Sequence, residues 1–263
     1  MTPPRKQSVV TLLVTLVLGS LASQAQTTPP APAQSQPQSQ LQPQPQPLSQ
    51  PKPARTLILL DPAHGGPDTG AHLSGNLLEK DITLAFSNRL RALLATGNFA
   101  VISTRTADPA TLFTTDQRAE IANHDHPSIC LVLHATGSGF GVHIFTSALT
   151  PPTRSAPPIY LLRWSTAQIP SLSRSRLLAD EIGASLLQAK IPVISSQASV
   201  RPLDNLTCPA IAIELAPLSN DGSSPTPASN SAYQQRVAEA IVNALTTWRT
   251  DNAGAGSVAG AAR

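Results

Sequence analysis

The chain has 263 residues, of which 41% are hydrophobic, 13% are charged and only 3% are aromatic. This length fits one medium-sized domain with appended segments. The formal net charge is +3, and without Arg5 and Lys6 it falls to +1, because 16 basic residues then face 15 acidic ones. Two Trp, two Tyr and no basic stripe interleaved with aromatic side chains argue against a nucleic-acid-binding protein.

The first 25 residues have the features of an export signal. Arg5 and Lys6 provide a basic start, and residues 9–22 are an unbroken run of apolar and small side chains. The small residues Ser23 and Ala25 predict cleavage after Ala25. The alternative is a retained membrane anchor, but a spanning helix needs roughly 20 apolar residues and this run is shorter. We therefore expect a periplasmic or extracellular protein with no stable membrane anchor after cleavage.

Two further segments have compositions that cannot build a core. Residues 26–54 alternate Pro with Gln, Ser and Ala, which predicts a disordered linker that holds the domain away from the membrane. Residues 250–263 are rich in Gly and Ala and predict a disordered tail. The folded domain is therefore expected between residues 55 and 249.

Within that range, short apolar runs alternate with segments of helical periodicity. In chain order, the sequence predicts a strand at 56–60, a helix at 81–94, strands at 100–103, 128–134 and 141–146, a helix at 174–188, a strand at 210–215 and a helix at 231–248, with a further short helix at 116–123. This alternation is typical of a single α/β domain with a mostly parallel, twisted sheet and helices on both faces. Ligands of such sheets bind at the carboxyl ends of the strands.

The two cysteines lie inside apolar segments. Export would permit a disulfide between Cys130 and Cys208, but two cysteines are too few for a disulfide scaffold. We expect buried free thiols.

Three ionisable side chains fall in or directly after apolar strands. His64 follows the run TLILL, His134 ends SICLVLH, and Glu214 lies within AIAIEL. A carboxylate in an apolar strand is costly unless it is paired or binds something. Glu214 is therefore either a salt-bridged core residue or a functional one.

The order of several motifs resembles a known family. The motifs are DPAHGG, LEKD, TRTAD, RAEIAN, LHAT and CPAIAIELAPLSN, spread over residues 57–248. They resemble the zinc-dependent N-acetylmuramoyl-L-alanine amidases of the amidase-3 type. Several motifs in the correct order are more specific than one short motif. Ala63, Thr136 and Pro217-Leu218 depart from the family pattern.

The resemblance implies a role for four residues. His64, Glu79 and His134 match the zinc ligands, and Glu214 matches the catalytic carboxylate. Two histidines, one carboxylate and an open fourth position also suit a catalytic zinc site on chemical grounds. The implied activity is hydrolysis of the amide bond between N-acetylmuramic acid and L-alanine in peptidoglycan, with Zn²⁺ as cofactor, in cell-wall remodelling or daughter-cell separation.

Two other functions remain open. The first is a peptidoglycan-binding protein on the same fold with weak or no activity, and the second is a zinc peptidase with another amide substrate. The resemblance also leaves open whether an activator protein is needed.

The remaining polar motifs predict structural roles. His124 and His126 are expected in a solvated loop, and His72 and His143 have no partner visible in the sequence. Four residues in family motifs are expected to cap and pair around the short helix at 116–123: Arg105, Asp108, Arg118 and Asn123.

Residues 147–172 form an insertion with Pro-rich flanks and an apolar middle that includes Tyr160 and Trp164. We expect this segment to pack on the domain, and the alternative is a lid or partner-docking segment.

Overall fold

A six-stranded sheet forms the centre of the computed structural model, which describes residues 55–151, 163–218 and 224–258. The predicted signal peptide and linker lie outside these residues. In chain order the elements are β1 (Leu57–Pro62), α1 (Glu79–Thr96), β2 (Ala100–Ser103), α2 (Thr115–Asp125), β3 (Ile129–Ala135), β4 (Val142–Ser147), α3 (Leu172–Gln188), β5 (Val193–Ala198), β6 (Ala210–Leu215) and α4 (Ser231–Val258). Among the described residues, no helix is both long and apolar enough to cross a membrane.

The strand order is β2-β1-β3-β6-β4-β5. Strands β2, β1, β3 and β6 are parallel, whereas β4 pairs antiparallel with β6 and parallel with β5. The beginning of β4 therefore lies at the sheet edge where β1, β3 and β6 end. The predicted α/β class with a mostly parallel sheet is confirmed.

Helices cover both faces of the sheet, as predicted. Helices α1, α3 and α4 pack on one face around Phe86, Ile182 and Ile241, all of which are fully buried. Helix α2 packs on the other face, where Ala119 and Ala122 meet Leu59 of β1 and form a smaller core. Successive side chains of a strand point to opposite faces of the sheet, so strands such as β1 and β3 contribute apolar residues to both cores.

Strand β5 was not among the sequence predictions. Only its first two residues, Val193 and Ile194, are apolar, and the four that follow are polar or small. It is an edge strand that is largely exposed to solvent, so its sequence lacks the apolar run on which strand prediction depends.

The prediction of a disordered tail from residue 250 is wrong over residues 250–258, because α4 continues to Val258. Extending a helix that is already formed costs far less than nucleating one, and Ala favours the helical state. Residues 259–263 lie outside the described part of the chain.

The expectation of free thiols is also wrong, because Cys130 and Cys208 form a disulfide. Cys130 pairs in register with Ala210 across β3 and β6, which brings Cys208 alongside with a Cα–Cα distance of 6.1 Å. This pairing of distant segments was not visible in the sequence.

Candidate metal centre

His64 lies in a tight turn directly after β1. Its backbone adopts a left-handed conformation with φ of 63°, which is uncommon for a residue other than glycine. The guanidinium of Arg118 donates hydrogen bonds to the carbonyl oxygens of His64 and Pro62, and Arg105 donates to those of Pro62 and Ala63. Two buried arginines therefore hold the turn that carries His64.

Arg118 is itself held by a buried ion pair. Its Nη1 atom lies 2.7 Å from Oδ1 of Asp61 on β1, and both side chains are almost fully buried. Oδ1 of Asp61 also accepts a hydrogen bond from Thr104. The sequence predicted pairing for Arg118, but the pairing holds the His64 turn rather than α2.

Glu79 is the first residue of α1 and is buried. Its backbone amide donates to the carbonyl of Ala71 at 2.9 Å, while the amide of Ala71 donates to Oε2 of Glu79 at 2.9 Å. The loop before the helix thus satisfies an unpaired amide of the first turn and also fixes the Glu79 carboxylate.

Potential ligand atoms of His64, Glu79 and His134 all lie within 4.8 Å of one another. Nε2 of His64 lies 3.1 Å from Oε2 of Glu79, and Nδ1 of His134 lies 2.8 Å from Oε1 of the same carboxylate. The structure therefore brings together the three residues predicted as metal ligands.

The nearby loop supports this arrangement. Asp68 accepts a hydrogen bond from Nδ1 of His64 at 2.9 Å, which leaves Nε2 facing Glu79. Gly70 has φ of +65°, and a Cβ atom there would lie 2.6 Å from the His64 ring and 2.7 Å from Oε2 of Glu79. Only glycine allows this loop to approach the cluster so closely.

The cluster changes the ionisation of its members. Burial alone would lower the pKa of His64, but hydrogen bonds and charge interactions with Glu79 and Asp68 outweigh it and raise that pKa above its ordinary value. Burial alone would raise the pKa of Glu79, but hydrogen bonds from His134, His64 and the Ala71 amide place it well below its usual range. Glu79 is therefore held as a carboxylate, the form that ligates metals.

Glu214, the predicted catalytic carboxylate, lies next to this cluster near the end of β6. It pairs in register with His134 on β3 and with His143 on β4. Its Oε2 atom accepts a hydrogen bond from Nδ1 of His143 at 2.7 Å. The sequence did not predict that His143 contacts Glu214. This contact exists because β4 lies antiparallel beside β6, and strand order cannot be inferred from the local sequence.

A cavity of about 290 Å³ lies beside the cluster. Its lining includes His64 and His134 together with Leu112, Phe113 and Arg201. Such a combination of apolar walls and a few polar groups is typical of a ligand site.

The other polar motifs have local roles. Asp108 accepts hydrogen bonds from the Gly66 amide and from Lys80, and Asn123 bonds to the loop before β6. Asp108 thus holds the loop near the candidate metal site, and Asn123 holds the loop before β6. His124 and His126 are exposed, as expected, but His124 lies within α2 rather than in a loop, and only His126 follows the helix. His72 is exposed as well.

The family comparison covers most of the described chain. The Amidase_3 family model, described as N-acetylmuramoyl-L-alanine amidase, matches residues 58–247. This range agrees to within one residue at each end with residues 57–248, over which the motifs resemble the amidase-3 pattern.

Curated relatives match over shorter segments. The N-acetylmuramoyl-L-alanine amidase AmiA of Salmonella typhimurium is 37% identical over 93 residues, or 34% of this chain and 32% of the relative. The germination-specific N-acetylmuramoyl-L-alanine amidase of Bacillus subtilis is 52% identical over 52 residues, or 20% of this chain and 22% of the relative. The chain thus spans about a third or less of these relatives.

The fold is also found among solved structures. The amidase AmiC2 of Nostoc punctiforme superposes with a TM-score of 0.56 at 22% identity, over 75% of this chain and 98% of that one. Because the family model covers the sheet, the helices and the residues of the metal cluster, the chain belongs to the N-acetylmuramoyl-L-alanine amidase family of the amidase-3 type.

Proposed function

We propose that this protein hydrolyses the amide bond between the lactyl group of N-acetylmuramic acid and L-alanine in peptidoglycan. The observation that carries this proposal is the convergence of His64, Glu79 and His134 in a chain of this family. Two histidines and one carboxylate leave a coordination position open, as in catalytic rather than structural metal sites.

The donor set fits zinc. Two ligand atoms that each lie about 2.0–2.1 Å from a tetrahedral zinc ion are about 3.3 Å apart. Nε2 of His64 lies 3.1 Å from Oε2 of Glu79, and Nδ1 of His134 lies 2.8 Å from Oε1. One ligand atom from each residue lies within 4.8 Å of the other two, so the three side chains converge and small rotations would bring them to that spacing. Asp68 orients the His64 ring through its second nitrogen, as outer partners of zinc-bound histidines commonly do.

Zinc held by His64, Glu79 and His134 would supply Lewis acidity, which would favour ionisation of a water molecule near neutral pH and polarise the scissile carbonyl. Glu214 accepts a proton at a carboxylate oxygen from the water that attacks the carbonyl, and passes it to the leaving amine of L-alanine as the C–N bond breaks. The cavity beside His64 and His134 binds the substrate around the scissile bond, with Leu112 and Phe113 as its apolar wall.

The place of action follows from the substrate. Peptidoglycan lies outside the cytoplasm, so residues 1–25 act as an export signal and residues 26–54 as a linker in this proposal. The disulfide between Cys130 and Cys208 supports export, because disulfides persist mainly in oxidising compartments.

Metal analysis of purified variants tests the zinc site. We expect about one zinc per chain in the wild type and loss of stoichiometric zinc in His64→Ala and His134→Ala. The matched control is His124→Ala, which changes an exposed histidine and should keep its zinc. Full zinc occupancy in both ligand variants would remove these residues from the site.

A further inference from the structure

His143 is a second histidine in the row of side chains that contains Glu214. Residues paired in register across strands point to the same face of a sheet, so His134, Glu214 and His143 form a row across β3, β6 and β4. Glu214 lies in the middle of this row, between a residue of the metal cluster and His143.

The hydrogen bond between the two side chains fixes the tautomer of His143. An ionised carboxylate only accepts hydrogen bonds, so Nδ1 of His143 carries the hydrogen that it donates to Oε2 of Glu214. Both side chains are mostly buried, at 15% exposure for His143 and 27% for Glu214. Charge-assisted bonds of this kind are among the stronger ones in proteins.

The other edge of the His143 ring faces protein. Its Nε2 atom is buried and has no hydrogen-bond partner among the described residues. The backbone of Gly139 closes over this edge, since a Cβ atom at that position would lie 2.9 Å from Cε1 and 3.1 Å from Nε2. The ring therefore does not present a free nitrogen to the cleft, and within the described part of the chain it hydrogen-bonds to Glu214 alone.

We propose that His143 is a positioning residue that holds the Glu214 carboxylate in its reactive orientation. This inference rests on the proposed role of Glu214 in the proton transfer. The bond from His143 occupies Oε2 and restricts rotation of the carboxylate, which leaves Oε1 free to accept the proton. A general base must lie within hydrogen-bond reach of the proton that it takes, so fixing its rotamer raises the reactive fraction of the enzyme.

The consequence for kinetics is specific. The His143 ring is enclosed by Glu214 and the Gly139 backbone and is absent from the cavity lining. Its loss should therefore leave KM for a soluble muropeptide nearly unchanged. Outer partners of metal ligands typically contribute about 10–100-fold. We expect a similar contribution from the partner of Glu214, so kcat of His143→Leu should fall by about that factor. The zinc content should stay at the wild-type level, because His143 contacts none of the three proposed ligands.

Two substitutions separate positioning from packing. The side-chain amide of Asn can reach the place of Nδ1, whereas that of Gln reaches the place of Nε2. His143→Asn should therefore restore most of the lost kcat, and His143→Gln should not. The Gln variant also serves in place of His143→Leu if the latter does not fold.

A double-mutant cycle with Glu214→Gln completes the test. Glu214→Gln alone should lose about 10²–10⁴-fold in turnover, as expected for a general acid–base group. Adding His143→Leu to that variant should cause no further loss of kcat. A merely structural role would instead give losses that multiply.

The outcomes distinguish this inference from the proposed function. If the wild type and the Glu214→Gln variant hydrolyse muropeptides equally well, the role of Glu214 is wrong and His143 has nothing to position. If Glu214→Gln is inactive but His143→Leu keeps wild-type kcat, only the inference about His143 is overturned. Equal losses in the Asn and Gln variants would also overturn it.

Discussion

Arg118 connects the core of the domain to His64, the first histidine of the candidate metal site. Its guanidinium pairs with Asp61 in the interior and donates to the carbonyl oxygens of Pro62 and His64 at the surface of the site. The ring of Phe113 stacks against it, with 4.7 Å between Cζ and the ring centroid. Arg118 thus anchors the turn that carries His64 to strand β1.

Removing Arg118 should therefore affect both stability and metal binding. Arg118→Met leaves the Asp61 carboxylate buried without its counter-charge, which typically costs about 3–5 kcal/mol. The free energy of unfolding in urea should fall by that amount, and zinc affinity should fall because the His64 turn loses its support.

The double variant Asp61→Asn/Arg118→Met provides the control. It removes the unpaired charge and should recover much of the stability, but not the zinc affinity, because the His64 carbonyl still lacks its Arg118 donor. Unchanged zinc affinity in Arg118→Met would show that the turn holds its shape without the arginine.

At the residue scale, the sequence predicted the metal-site residues that lie within recognisable motifs. His64, Glu79 and His134 stand in family motifs and lie together in the structure. The bond between His143 and Glu214 and the disulfide between Cys130 and Cys208 were not predicted, because each depends on which strands are neighbours. Strand order is a non-local property that no short motif encodes.

At the scale of elements, the antiparallel placement of β4 shapes the site. Because β4 runs against β6, its first residues reach the edge of the sheet where the parallel strands end. The sequence predicted β4 as a strand at nearly its observed bounds but did not predict its direction. Helix α1 begins at Glu79, two residues before the predicted start at residue 81, and this early start places Glu79 beside the histidines.

The segment between β4 and α3 ends in a packed turn. Gln168 is fully buried, and its Nε2 atom donates to the carbonyl oxygens of Leu206 and Cys208 at 2.6 Å and 2.8 Å. Its Oε1 atom accepts a hydrogen bond from Ser175 on α3. This end of the predicted insertion thus packs on the domain, while the apolar residues 159–162 lie outside the described part of the chain.

Gln168→Ala should destabilise the domain without changing the site directly. It leaves the buried carbonyl oxygens of Leu206 and Cys208 without their Gln168 donor, and each such group costs about 1–3 kcal/mol. We expect the free energy of unfolding to fall by at least about 2 kcal/mol in urea denaturation. The control Gln188→Ala, at an exposed position near the end of α3, should change it little, and equal effects of the two substitutions would contradict the packing role.

At the scale of the whole molecule, the proposed function links a predicted export signal at residues 1–25 to an amidase-family domain that would act on peptidoglycan. The class of the fold followed from the alternation of apolar runs and helical segments, because that alternation is a property of the entire domain. The linker and signal peptide remain predictions from composition. An export signal and a linker are needed only if the substrate is peptidoglycan outside the cytoplasm. The amidase activity of the domain is therefore the claim to test first.

Mass spectrometry of purified peptidoglycan after digestion by the full protein tests that claim most directly. The account predicts free stem peptides that begin with L-alanine and glycan strands that keep the lactyl group. A chelator should abolish these products, added zinc should restore them, and Glu214→Gln should not form them. Binding to peptidoglycan without release of stem peptides, or cleavage only within the stem peptide, would contradict the account.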